Sequence, residues 1–187
     1  MEILNEKIIF SNQVFEIKSL HVKDTMGNEV FDYVVVEPKV HDEQLVSGVG
    51  VLVKVNNKIG CIKIFRPALG RTSIEIPHGF VDENESFEEA CARELREETG
   101  IVVKANSFNF LCSVAPDGGV IRGLVRLYFV NAGMPEIQKT SELGLGELIF
   151  YKPQELMKLI EEQKIVDSFT IIALLKASYS NFIKIYI

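Results

Sequence analysis

The segment from Ser86 to Gly100, SFEEACARELREETG, constrains this chain more than any other stretch. Ser86 with Glu89 forms a capping box, in which each side chain satisfies the other residue's backbone N–H at a helix start. Phe87, Cys91 and Leu95 recur at i, i+4 and i+8, so they share one helix face. Gly100 supplies a left-handed stop. The spacing predicts a helix over 86–99 with one apolar face to bury.

The charges on that helix conflict with its stability. Glu94 and Glu98 form an i, i+4 pair, with Glu97 beside them. Like charges at that spacing cost an isolated helix roughly 0.2–0.5 kcal/mol. They also sit in the last turns, where the helix dipole disfavours anions. Arg93 and Arg96 give partial relief, Arg93 within reach of Glu89 or Glu97, and Glu85 can fold back toward the cluster. A divalent cation resolves the conflict. Carboxylates without histidine or cysteine suit a hard ion, Mg²⁺ or Mn²⁺. The other reading is a solvated face of ion pairs.

Around this helix the chain reads as β, then mixed. Residues 1–45 carry about three short strands, a meander too small to be stable alone. Two β-rich runs flank the Asn56-Asn57-Lys58 turn, and ALGRTSIEIPHGF follows as loop and short strand. Strands are expected at Val102–Val103, Phe108–Ser113, Gly123–Val130 and Glu147–Tyr151, and helices at Pro153–Glu162 and Ser168–Tyr179. This order predicts an α+β fold, a mixed sheet covered by helices. The expected division is an N-terminal meander over residues 1–45 and a main domain over 46–187. The apolar end, NFIKIYI, either packs on the body or meets another subunit.

Composition matters for partners. The net charge is −6 over 187 residues, and no basic run is present, so a nucleic-acid partner is not expected. An acidic chain that handles a phosphate needs a cation or a few placed arginines. No signal-peptide pattern and no span-length apolar run is visible, so no membrane partner is expected either. Three cysteines without C-x-x-C spacing fit reduced thiols in the cytoplasm.

From Gly79 the chain reads GFVDENESFEEACARELREETGI. This matches G-x5-E-x7-R-E-U-x-E-E-x-G-U, with U aliphatic, at Gly79, Glu85, Arg93, Glu94, Leu95, Glu97, Glu98, Gly100 and Ile101. The chain therefore resembles the Nudix hydrolases, from about Ser47 to the last helix. The resemblance implies an α/β/α sandwich that cleaves the pyrophosphate bond of nucleoside-diphosphate compounds. It implies that Glu94, Glu97 and Glu98 bind metal, that Arg93 orients them, and that Glu85 supports the loop or a further ion. It implies a backbone carbonyl ligand from His78. The family's general base sometimes lies outside the motif, and Glu142 is the candidate here. A plain surface glutamate is the alternative.

The N-terminal meander, the segment IFRPALGRTSIEIPHG with Arg66, Arg71 and Glu75, and Pro116 further resemble ADP-ribose and nucleotide-sugar pyrophosphatases. That resemblance implies a homodimer and ADP-ribose as substrate, cut to AMP and ribose 5-phosphate. GDP-mannose, UDP-glucose and a non-catalytic nucleotide-sensing domain are the alternatives. Arg66 either meets a phosphate or pairs with Glu75. Phe15 and Tyr33 stack on a base or pack in a core. His78 departs from the small residue often found before the motif glycine.

Overall fold

The N-terminal segments alternate β-branched and aromatic residues with polar ones. In the computed structural model they form β1 (Glu2–Ser11), β2 (Phe15–Lys23) and β3 (Glu29–Pro38). The structure describes residues 1–134 and 144–185. The three strands make an antiparallel sheet in the order β1-β2-β3, the expected meander. The β2–β3 turn is built by Asp24, whose Oδ1 accepts from the N–H groups of Met26 and Asn28 at 2.8 and 2.9 Å. Leu20, Val22 and Val35 form a small buried cluster on this sheet.

The chain divides into two compact units, residues 1–47 with 115–125, and residues 48–114 with 126–187. In the first unit, segment 115–125 is bonded to β3. Val36 N–H donates to Val120 O at 2.8 Å, Arg122 N–H to Val36 O at 2.9 Å, and Tyr33 Oη to Gly119 O at 2.5 Å. Tyr33 thus has a structural partner. The Arg122 guanidinium joins Glu6 and Glu37, which Lys18 also contacts.

The larger sheet holds β4 (Val46–Val55), β5 (Lys58–Arg66), β6 (Arg71–Glu75), β7 (His78–Phe80), β8 (Asn109–Val114), β9 (Leu124–Asn131) and β10 (Leu145–Tyr151). Its order is β10-β5-β4-β9-β8, with β6 on β5 and β7 on β4. The hairpin between β4 and β5 turns on Asn56 and Asn57, both at positive φ (49° and 63°), which asparagine tolerates. β9 follows β4 in parallel. Leu124 N–H donates to Leu45 O at 2.7 Å and Ala132 N–H to Lys54 O at 2.9 Å, so both strands advance together. The other pairings of β4 and β5 are antiparallel, and the sheet is mixed as expected.

Three helices complete the fold: α1 (Phe87–Thr99), α2 (Pro153–Glu161) and α3 (Ser168–Tyr179). Ala90, Cys91 and Leu95 of α1 pack on Val49, Val51, Val53 and Tyr128. Burying a leucine of this kind stabilises by about 2 kcal/mol. One expected strand does not form. After α1 the backbone at Val102–Val103 is irregular and leads to a 3₁₀ turn at Ala105–Ser107. Val103 packs against the core while Val102 is exposed, so one anchored side chain takes the place of a ladder. Near the chain end Phe182 stacks on Phe129 at 4.6 Å and Ile183 is buried, so that part packs on the body. Among the described residues no helix is long and apolar enough to cross a membrane.

Candidate functional site

Helix α1 begins and ends as its sequence requires. Ser86 and Glu89 make the reciprocal capping box, and Gly100, at φ 73°, donates its N–H to Arg96 O at 2.9 Å. These two ends fix where the helix starts and stops, and burial of Ala90, Cys91 and Leu95 sets its rotation. Its apolar side packs on the sheet, Glu94 and Glu98 meet β7, and Arg93 reaches the loop that follows β7.

Arg93 is the hub of this cluster. Its Nε and Nη2 donate to the two Glu85 carboxylate oxygens, both at 2.9 Å. Nη2 also donates to Phe80 O at 2.8 Å, and Nη1 to Glu94 Oε1 at 2.6 Å and Glu97 Oε2 at 3.4 Å. Asn84, at φ 63°, turns the preceding loop. Glu85 Oε2 then accepts the Asp82 N–H at 3.1 Å. The bidentate geometry is the strong form of a guanidinium–carboxylate pair. Glu85 first, then Glu94, hold the Arg93 charge well above its ordinary range despite burial. In return Arg93 holds the Glu85 carboxyl below the usual carboxylate range.

Glu94 and Glu98 are both buried, Glu98 at 2 % exposure, whereas Glu97 is exposed. Glu98 Oε2 accepts the His78 N–H at 2.9 Å, which ties the end of α1 to the start of β7. Next to it, Gly79 is packed against the Glu94 carboxylate so closely that a Cβ would overlap all three of its atoms. Gly79 is not at positive φ. It is glycine for space, not for backbone conformation.

β7 is itself fixed from two sides. It pairs with β4 through Gly48, Val49 and Gly50, and Val51 N–H donates to Pro77 O at 2.8 Å. From the other side Thr170 Oγ1, on α3, accepts the Ile76 N–H at 2.9 Å and donates to Asp167 Oδ2 at 2.6 Å. Asp167 is the N-cap of α3. This latch joins residues 94 positions apart. Asp167 ahead of the helix signals the cap, but no local pattern signals the reach of Thr170 to Ile76.

Arg66 pairs with Glu75, Nη2 to Oε2 at 2.6 Å and Nε to both oxygens at 3.2 and 3.0 Å. Arg66 Nη2 also lies 2.9 Å from His78 Nε2, and His78 Nδ1 lies 3.0 Å from Ile76 O. The tautomer that satisfies both contacts carries its proton on Nδ1. Burial opposes the Arg66 charge, but Glu75, with Glu98 and Asp167, more than offsets it and raises its pKa. The ion-pair alternative for Arg66 is therefore realised, with the Arg66 side chain as a whole still 31 % exposed. The ring of His78 meets Phe169 edge-on at 5.4 Å.

Three sequence candidates remain. Arg71 is exposed on β6, opposite Arg66 in register. Pro116 is exposed in the first unit, and Glu142 lies outside the described residues. Among the described residues no three His, Cys, Asp or Glu side chains meet as a ready-made metal cage. Instead the Arg93 guanidinium stands among Glu85, Glu94 and Glu97 as their counter-charge. The donor set still suits a hard divalent cation. It offers carboxylate oxygens, two of its side chains are buried, and Gly79 makes room for the Glu94 carboxylate against β7.

Comparison with known proteins shows the family and the fold. The family described as NUDIX domain matches residues 44–167. The chain is 29% identical to a methanol dehydrogenase activator of Bacillus methanolicus over 86% of this chain and 92% of that one. It is 27% identical to an ADP-ribose pyrophosphatase of Bacillus subtilis, over 84% and 93%. In fold it resembles a crystal structure of an ADP compounds hydrolase, with a TM-score of 0.77 over 96% of this chain and 92% of that one, at 17% identity.

Proposed function

The chain belongs to the Nudix family of hydrolases, which act on pyrophosphate bonds, and from that premise we propose that it cuts ADP-ribose to AMP and ribose 5-phosphate. The observation that carries this reading is the Arg93 hub, which gathers Glu85, Glu94 and Glu97 of the intact motif at one point. The name of the Bacillus subtilis relative supports ADP-ribose over other nucleotide sugars.

In this reading Glu94, Glu97 and Glu98 hold Mg²⁺, with Mn²⁺ as a substitute, helped by Glu85 and the His78 carbonyl. The ion supplies the positive charge for phosphate oxygens that an acidic protein lacks. Arg93 fixes the carboxylates so that no reorientation is needed when substrate arrives. Glu97 and Glu98 take part in catalysis, and Glu142 is the candidate base that deprotonates water. Arg66, Arg71, Glu75 and Pro116 serve the substrate, Arg66 offering a charged edge that suits phosphate.

The protein works as a homodimer in this reading. Support comes from β1, an edge strand whose ten residues are all exposed, Ile3, Ile8, Ile9 and Phe10 among them. Such an edge is a template for pairing. A monomer by light scattering at micromolar concentration would overturn this part. Three free cysteines, two of them buried, fit a reducing cytoplasm.

The deciding experiment measures AMP release from ADP-ribose with Mg²⁺, with and without EDTA, in wild type and Glu98→Gln. Metal-dependent turnover that the variant loses is the expected result. No turnover by folded wild type removes ADP-ribose and moves the search to GDP-mannose and UDP-glucose. The relative named methanol dehydrogenase activator favours a second reading, a domain that acts on a partner protein. Silence across the whole panel would select it.

A further inference from the structure

A second charged feature lies away from this site. Lys54, Lys58, Lys152 and Lys184 line one cavity of about 620 Å³ beside the turn between β4 and β5. Among the described residues no carboxylate lines it, although the chain carries a net charge of −6. Among the described residues the ion-paired lysines are Lys18, Lys23, Lys63, Lys158 and Lys164, none of these four. Clustered cations without counter-charges repel one another, and a protein keeps such a field where an anion relieves it.

Polar contacts link the residues that line the cavity. Lys54 Nζ donates to Phe182 O at 3.0 Å and stands 5.5 Å over the Phe129 ring, which fixes its ammonium. Gln154 Nε2 donates to Lys184 O at 3.4 Å, and Asn57 adds an amide to the wall. The cavity is remote from the carboxylate cluster. Gly50 of β4 pairs with His78, whereas Asn56 begins the turn, and the strand between them rises roughly 20 Å.

We infer that this cavity binds a small phosphate-bearing anion, independently of the proposed reaction. Ammonium groups act as point charges for phosphate oxygens, and the amides add neutral donors. The phosphate can be free or carried by a nucleotide.

Calorimetric titration in EDTA tests this, with pyrophosphate and AMP as separate probes. Wild type, Lys58→Gln/Lys152→Gln and Glu98→Gln are compared. Saturable one-to-one binding is expected, weakened at least tenfold in the lysine variant and unchanged in Glu98→Gln. Hydrolysis by the lysine variant stays at the wild-type rate, and an equal Tm shows that its fold is intact. Tighter AMP identifies a nucleotide, and tighter pyrophosphate a free anion. The inference is overturned if neither probe binds, if the lysine variant binds as wild type does, or if Glu98→Gln alone abolishes binding.

Discussion

The backbone N–H of His78 donates to Glu98 Oε2 at 2.9 Å, so a buried carboxylate at the end of α1 holds the strand that bears the motif glycine. One side chain therefore carries both a structural bond and an expected metal contact. Substitution separates them. Glu98→Gln keeps an acceptor for the His78 N–H, and its Tm should stay within a few degrees of wild type while kcat falls by about 10²–10³. Glu98→Ala leaves a partly buried N–H without its acceptor and should lose a further 1–3 kcal/mol or so of stability. Denaturant melts of both variants check this, and equal stability would show that the bond is weak.

Gly79 makes a second prediction. A Cβ there would overlap the Glu94 carboxylate, although the backbone φ would accept alanine. Gly79→Ala should therefore push Glu94 aside. Turnover should fall at least about tenfold, as a misplacement of this size costs in an oriented site. The apparent affinity for Mg²⁺ should fall with it, whereas a purely conformational role would lower stability alone. A metal titration of turnover distinguishes the two.

Acid stability follows from Glu85. Arg93 lowers its folded-state pKa from the ordinary 4.5. A depressed carboxylate stabilises the fold above its unfolded pKa, and that contribution is lost as pH falls through the folded value. The stability difference between wild type and Glu85→Gln should be constant above about pH 5 and shrink progressively below 4.5. Thermal melts of both proteins across that window test it. A difference that grows toward acid would contradict the pairing.

Thr170 tests whether α3 positions the site. Its Oγ1 accepts the Ile76 N–H and donates to Asp167. Thr170→Val keeps the shape but orphans a buried N–H, which should cost about 1–3 kcal/mol. If the latch orients β7, kcat should fall while KM changes little, and Thr170→Ser should restore it. An unaltered kcat in a destabilised Thr170→Val would leave the latch a structural role only.

Much of this was legible because it is local. The capping box, the apolar face of α1 and the Gly100 stop all act within a few residues, and the structure shows each of them. The ends of α2 and α3 and the β4–β5 turn follow the same kind of short-range chemistry. Val102–Val103 forms no strand despite its β-branched residues, because such residues make a strand only when a partner strand is at hand. Even the reach of Arg93 to Glu97 was foreseeable, being one helical turn.

The sequence by itself determined the helix, its charges and the spacing of the motif, since helical geometry converts spacing directly into position. Only the tertiary structure decided that Arg66 is taken by Glu75, that Glu98 grips His78, that Gly79 is glycine for space, and that Thr170 reaches Ile76. Those contacts join residues from 9 to 94 positions apart. No local preference encodes such pairings; they exist once the sheet and helices are packed and each buried polar group must find its partner.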